Sequence, residues 1–207
     1  MIRPSTAEIA EQLAHAPRAE PIRLPGPGRP WTIAELEALS GDDYRYELVR
    51  GDLMIASPAS PIQGRYAVRL IHALVDFVDE HDLGEVYTAE PGFILKPEPE
   101  AIVRAPDVAF VRKDRIPPPD EQTGFWPVAP DLAVEIVSPS DRADEIEAKV
   151  RDYLTFGVRL AWVVYPSKQV IVEHRSLAEA CHLGLDDELA GGEVLPGFTH
   201  PLRQLFR

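Results

Sequence analysis

Two carboxylates stand where a carboxylate is costly. Asp107 lies inside VRAPDVAFV and Glu135 inside LAVEIVSPS, each a lone acid in a run of otherwise apolar, strand-forming residues. An ionised carboxylate in such surroundings loses hydration worth several kcal/mol, so each acid requires a metal, a cation or a proton. Two such acids on neighbouring strands could converge on one divalent ion. Magnesium is commonly held by one or two carboxylates, completed by waters and substrate phosphate, so the chemistry this pair suggests is phosphoester hydrolysis. The competing reading is that either acid caps a strand or pairs with an arginine such as Arg104. For one buried acid the two readings weigh about equally; for the pair, the metal reading prevails.

Hydrolysis also needs a group to orient the attacking water or offset developing charge. Two residues beyond Glu135 a strand points its side chain to the same face, but that position is Val137. The nearest downstream lysine is Lys149, in the helical stretch ADEIEAKVRDYLTFG. It shares a helix face with Glu145 and Tyr153, and spacing alone favours a solvated Glu145–Lys149 pair.

The elements that must position these residues follow from periodicity. YELVRGDLMIAS reads as a hairpin reversing at Arg50-Gly51-Asp52. From Gln63 to Glu80, Ala67, Leu70, Ile71, Leu74, Val75 and Val78 recur at threes and fours, the signature of an amphipathic helix. EVYTAEPGFIL, IVRAPDVAFV, DLAVEIVS, RLAWVVY and VIVEH are β-rich. LAVEIV and LAWVVY are almost wholly apolar, as in central strands covered on both faces and joined by a crossover helix, here the one closed by Gly157. The expected fold class is α/β, a mixed sheet flanked by helices. Thr32 with Glu35 three residues on predicts a capping box that opens a helix ending at Ser40-Gly41. Residues 1–30, ending EPIRLPGPGRP, read as a proline-rich arm unable to hold a regular ladder, with a short helix in TAEIAEQLAHA. Residues 31–207 read as one domain. RIPPPDEQTGFWPVAP is expected to be a rigid surface segment near the mouth of a cleft.

Other chemistries find little support. There is no Gly-rich phosphate loop, and none of the six histidines has the paired helical spacing of a zinc hydrolase. His72 reads as a surface or core-edge residue. Ser138-Pro139-Ser140 lacks a nucleophile elbow and reads as a turn. The single Cys181 can form no disulfide within the chain and is expected to be a small buried hydrophobe. No segment is apolar enough to span a bilayer, and the N-terminus lacks a secretory pattern, which places the protein in the cytoplasm. The formal net charge of −13 argues against a polyanionic partner, although a local basic strip or acids shielded by a divalent ion would be compatible with one.

Taken in order, YELVRG, SPAS and the long helix, PDVAFV, PDLAVEIVSPS, AKVRDYLTFGVRLAWVVYP and GEVLPGFTHPLRQLF resemble the Uma-type restriction endonuclease family of the PD-(D/E)XK nuclease superfamily. The resemblance covers nearly the whole folded part. It implies a restriction-endonuclease-like core, with Asp107 and Glu135 as ligands to magnesium or manganese and Lys149 as a catalytic lysine moved from strand to helix. It also implies the Ile136 carbonyl as a further ligand and Glu47 as an early acid completing the shell. Ile62 replaces a histidine common in relatives, and Glu145 replaces an aspartate.

The expected function is metal-dependent hydrolysis of DNA phosphodiester bonds, with a homodimer compatible with cutting two strands. The alternative is a non-catalytic binding or assembly module that retains the fold and uses its acidic surface and arm for protein contacts.

Overall fold

The structure, a computed structural model, describes residues 22–24, 29–39, 45–56, 60–139 and 141–207. The helix expected in TAEIAEQLAHA, the stop at Ser40-Gly41 and residues 57–59 of SPAS lie outside the described residues.

Thirteen strands and four helices are described. In chain order they are β1 (Ile22–Leu24), α1 (Ile33–Glu37), β2 (Arg45–Val49), β3 (Asp52–Ala56), α2 (Pro61–His81), β4 (Gly84–Thr88), β5 (Phe93–Lys96), β6 (Ile102–Arg104), β7 (Val108–Arg112) and β8 (Leu132–Ile136). There follow α3 (Ala143–Thr155), β9 (Leu160–Tyr165), β10 (Val170–Ser176), β11 (Glu179–Leu183), β12 (Glu188–Ala190), β13 (Thr199–Pro201) and α4 (Leu202–Leu205). The α/β class and the mixed sheet flanked by helices are as expected.

The strands divide between two principal sheets, a partition the sequence did not announce. One sheet has the order β11-β10-β9-β8-β7-β4, and its only parallel pair is β8–β9, the pair that α3 connects. The other, β1-β3-β2-β6-β5, is antiparallel throughout. EVYTAEPGFIL and IVRAPDVAFV each look like one strand but cross from one sheet to the other, splitting into β4 with β5 and β6 with β7. In the second case the break falls at Ala105-Pro106-Asp107, because Pro106 has no N–H for a ladder. Asp107 therefore does not interrupt an apolar strand, as its sequence context suggested; it occupies the link between sheets.

Ile22–Leu24 also departs from expectation. This part of the proline-rich arm pairs antiparallel with β3, because the three residues between Pro21 and Pro25 include no proline and keep every N–H.

Helix α2 starts where Ser60 accepts from the Gln63 amide and the Gln63 side chain accepts from the Ser60 amide, with Pro61 at its first position. It ends at Asp82, which adopts a left-handed conformation at φ 52°. Tyr66, Leu70, Leu74 and Val78 form its buried stripe against the six-stranded sheet. Leu132, Val134 and Ile136 of β8 face this layer, together with Trp162 and the C-terminal residues Leu195, Phe198, Leu202 and Leu205. Strand alternation turns Ala133 and Glu135 to the opposite face, where α3 packs. Helix α1 carries the expected capping box of Thr32 and Glu35, and Leu36 fills the smaller core of the five-stranded sheet.

Cys181 corrects another expectation. It is exposed, because β11 is an edge strand whose residues Glu179 to His182 are uncovered on both faces. The 115–130 loop is tied to β5 by a bridge between Phe93 and Trp126. It borders an open cleft of about 490 Å³ lined by Glu37, Glu90, Thr123, Gly124 and Phe125 among others, whose lining includes neither Asp107 nor Glu135.

Candidate active site

β8 delivers Glu135 to the underside of α3. Tyr153 and Lys149, one helical turn apart on α3, both reach it: Tyr153 Oη donates to Glu135 Oε1 at 2.5 Å and Lys149 Nζ to Oε2 at 2.9 Å. The spacing that allowed Lys149 to remain on a solvated face is resolved inward. Lys149 also lies 3.6 Å from Glu47 Oε1.

Asp107 reaches the same strand from the link between sheets. Its Oδ2 accepts the Ile136 N–H at 2.8 Å, which places its carboxylate beside the residue that follows Glu135. Its Oδ1 faces Arg45 Nη1 at 3.6 Å. The Ile136 carbonyl accepts from Gln63 Nε2 at 2.9 Å; a second lone pair on that oxygen is available in principle. Gln63 thus serves twice, closing the cap of α2 and holding the peptide beside Glu135.

Glu47 and Arg104 come from the other sheet. Leu48 of β2 pairs with Val103 of β6, and Arg104 Nη1 donates to Glu47 Oε2 at 2.9 Å. Glu47 Oε1 accepts from the Ala105 amide at 3.0 Å. Arg104 also donates to Asp152 Oδ2 from Nη2 at 2.6 Å, and Arg50 donates to Asp152 Oδ1 at 2.7 Å. Arg50 occupies the hairpin reversal with Gly51, both at positive φ (52° and 82°), as the sequence indicated. Arg104 thus neutralises Glu47 and Asp152, not Asp107 or Glu135, with which it was weighed. Asp152, Arg50, Gln63 and Arg45 were not singled out from sequence. Asp152 and Arg50 are ordinary charged residues until the fold brings positions about a hundred apart together, whereas Gln63 carried a legible signal as the third residue after Ser60.

The charges are unevenly balanced. Burial pushes Glu135 up to about 7; Lys149 opposes this, while Asp107 and Glu47 reinforce it by repulsion. Burial also acts to raise Glu47, but Lys149 and Arg104 outweigh it and hold that carboxyl at about 2. Burial disfavours the Lys149 ammonium, yet Glu135 and Glu47 keep it charged, with a pKa raised above the usual lysine value. Burial and the adjacent Glu135 raise Tyr153 well above an ordinary phenol, so it remains a donor.

This donor set suits a hard cation. Asp107 and Glu135 supply carboxylate oxygens, the Ile136 carbonyl is adjacent, and a divalent charge would relieve the repulsion that Asp107 and Glu47 exert on Glu135. Among the described residues no group of three or more His, Cys, Asp or Glu side chains forms a metal cage. The fit is therefore to an ion held by one or two carboxylates and completed by water and phosphate.

The topology is that of a restriction-endonuclease-like α/β protein. Residues 33–203 match the Uma2 family, described as "Putative restriction endonuclease", and the chain belongs to that family. Among solved structures it is similar to a "putative nuclease belonging to DUF820 from Anabaena variabilis ATCC 29413". That similarity has a TM-score of 0.73 at 17% identity and covers 86% of this chain and 98% of the other. No curated protein matches the sequence. Among the described residues no helix is long and apolar enough to cross a membrane.

Proposed function

We propose that the protein is a magnesium- or manganese-dependent endonuclease that hydrolyses DNA phosphodiester bonds, in the cytoplasm. The observation that carries this reading is the convergence on one strand end of Asp107, Glu135 and Lys149, through the Ile136 amide and a 2.9 Å lysine–carboxylate contact. The family to which the chain belongs supports the same chemistry.

Asp107, Glu135 and the Ile136 carbonyl would hold the ion. When bound, the ion supplies Lewis acidity toward a phosphoryl oxygen and a more acidic water. Lys149, kept protonated by its two acids, orients the attacking water or offsets charge on the phosphate as it develops. Tyr153 keeps the Glu135 carboxylate in one orientation, and Gln63 does the same for the adjoining peptide. Glu47, with both oxygens engaged by Arg104, Ala105 and Lys149, anchors the lysine and could order a water or a second ion from its remaining lone pairs.

Supercoiled plasmid incubated with the protein and Mg²⁺ or Mn²⁺ is expected to be nicked, and Asp107→Ala, Glu135→Ala and Lys149→Ala proteins to leave it intact. Equal cutting by the variants rejects the assignment. The net charge of −13 favours the alternative, a non-catalytic assembly module. That reading predicts no calorimetric heat with Mn²⁺ that depends on Asp107.

A further inference from the structure

We propose that Arg45 contacts the substrate phosphate and rests on Asp107 until a metal ion takes that carboxylate. The inference deepens the nuclease reading and rests on it.

The cations around the site are held to very different degrees. Arg104 is buried and donates to both Glu47 and Asp152 at 2.6–3.2 Å. Lys149 is fixed by Glu135 at 2.9 Å. Arg50 is bound to Asp152 at 2.7 Å. Arg45 differs from all three. Among the described residues its one side-chain partner is Asp107, at 3.6 Å, an ion pair too long to be a hydrogen bond. Its side chain is 28% exposed, against 6% for Arg104.

Position explains the difference. Arg45 and Glu47 are two apart on β2 and so share a face of the strand. Glu47 lies deep, among Arg104 and Lys149, while Arg45 is the first residue of the strand and only partly buried. The guanidinium therefore sits at the rim of the same site, facing the more exposed of its two proposed ligand acids: the Asp107 side chain is 12% exposed and that of Glu135 6%.

A monovalent guanidinium and a divalent ion compete for one carboxylate, and the divalent ion has the larger charge. Once Asp107 turns to the ion, Arg45 loses its anion at the very place where a phosphodiester would be brought in by the same ion. Its planar fork matches two phosphate oxygens. Asp107 thus spares Arg45 the loss of a partner in the free protein, and the substrate replaces that partner in the complex.

This exchange gives Arg45→Gln effects of opposite sign. Mn²⁺ measured by calorimetry should bind the metal-free variant about 3- to 10-fold more tightly, because a competing charge is gone. Affinity for a cleavage-resistant phosphorothioate duplex at saturating Mn²⁺ should fall about 10-fold, with the slope of log K against log salt smaller by about 1, as for any single phosphate contact. In EDTA, where Arg45 stays on Asp107, both should change little. Nicking at saturating Mn²⁺ should fall at least as far as the affinity. Arg45→Lys, which keeps the charge and loses the fork, should retain the salt slope and recover part of the affinity.

Tighter Mn²⁺ binding with DNA affinity and salt slope unchanged at saturating Mn²⁺ would show that Arg45 merely neutralises Asp107, and overturns the proposal while leaving the nuclease reading intact. Unchanged Mn²⁺ affinity overturns it as well. If Mn²⁺ binds Asp107→Ala as it binds the parent protein, the metal site itself is misassigned and the exchange falls with it.

Discussion

The two ends of β8 each carry a buried acid, and the two differ in the charges packed around them. Asp131, just before the strand, is 1% exposed. It accepts the Arg112 amide at 3.0 Å, and Arg115 Nη1 lies 2.7 Å from its other oxygen, placed for charge pairing but out of line for a hydrogen bond. Glu135, near the other end, is 5% exposed and also has a cation, Lys149. What differs is the company. Glu135 shares its surroundings with Asp107 and Glu47, and burial with that repulsion raises it to about 7. An acid with its own cation closes a local balance, whereas an acid crowded by others leaves a demand for positive charge.

Substitutions at the two ends should therefore act on different properties. The largest effect is expected from Glu135→Gln: plasmid nicking falls by at least about 100-fold, more than the outer-shell losses of 10- to 100-fold seen around metal sites. Its melting temperature should change little, since the amide keeps the size of the side chain and an acceptor for Tyr153 or Lys149, and Glu47 stays 3.6 Å from the lysine. A large drop in stability with nicking retained would reverse the contrast.

Asp131→Ala should do the opposite. It leaves Arg115 without its partner and the Arg112 amide unsatisfied, and denaturant unfolding should report a loss of about 2 kcal/mol, below the 3–5 kcal/mol of a fully buried pair because Arg115 is 32% exposed. Nicking per folded molecule should match the parent protein.

Tyr153→Phe sharpens the comparison on the Glu135 side. Loss of the 2.5 Å hydroxyl bond should weaken Mn²⁺ binding by about 10-fold, at a stability cost of about 1 kcal/mol, read by calorimetry and unfolding respectively. Unaltered Mn²⁺ affinity would leave Tyr153 a packing residue. Arg151→Ala, on the solvent side of α3 in a pair with Glu147 where both are more than half exposed, should shift stability by no more than about 0.5 kcal/mol. It measures how little a cation on this helix matters when it does not face β8.

Much of this was legible in the chain. The periodicity of α2, the Thr32–Glu35 capping box, the Arg50-Gly51 reversal and the apolar runs of β8 and β9 are local patterns, and each formed the element its spacing indicated. The unusual cost of Glu135 was legible for the same reason, because an acid in LAVEIV conflicts with its neighbours in sequence. The sequence context of Asp107 misled, because that residue lies in the link between strands and not within one.

What the sequence could not specify were the pairings across distance. Spacing favoured a solvated pair of Lys149 with Glu145, and only the packing of α3 on β8 turned the lysine inward to Glu135. The division into two sheets, the placement of Asp107 in the link between them and the closing of Arg50, Asp152, Arg104 and Glu47 into one network follow from tertiary contact. Backbone propensity and hydrophobic period act over a few residues and can be read one segment at a time. The sign and strength of an electrostatic environment depend on which charges are brought near and how much water is removed, and folding alone sets both.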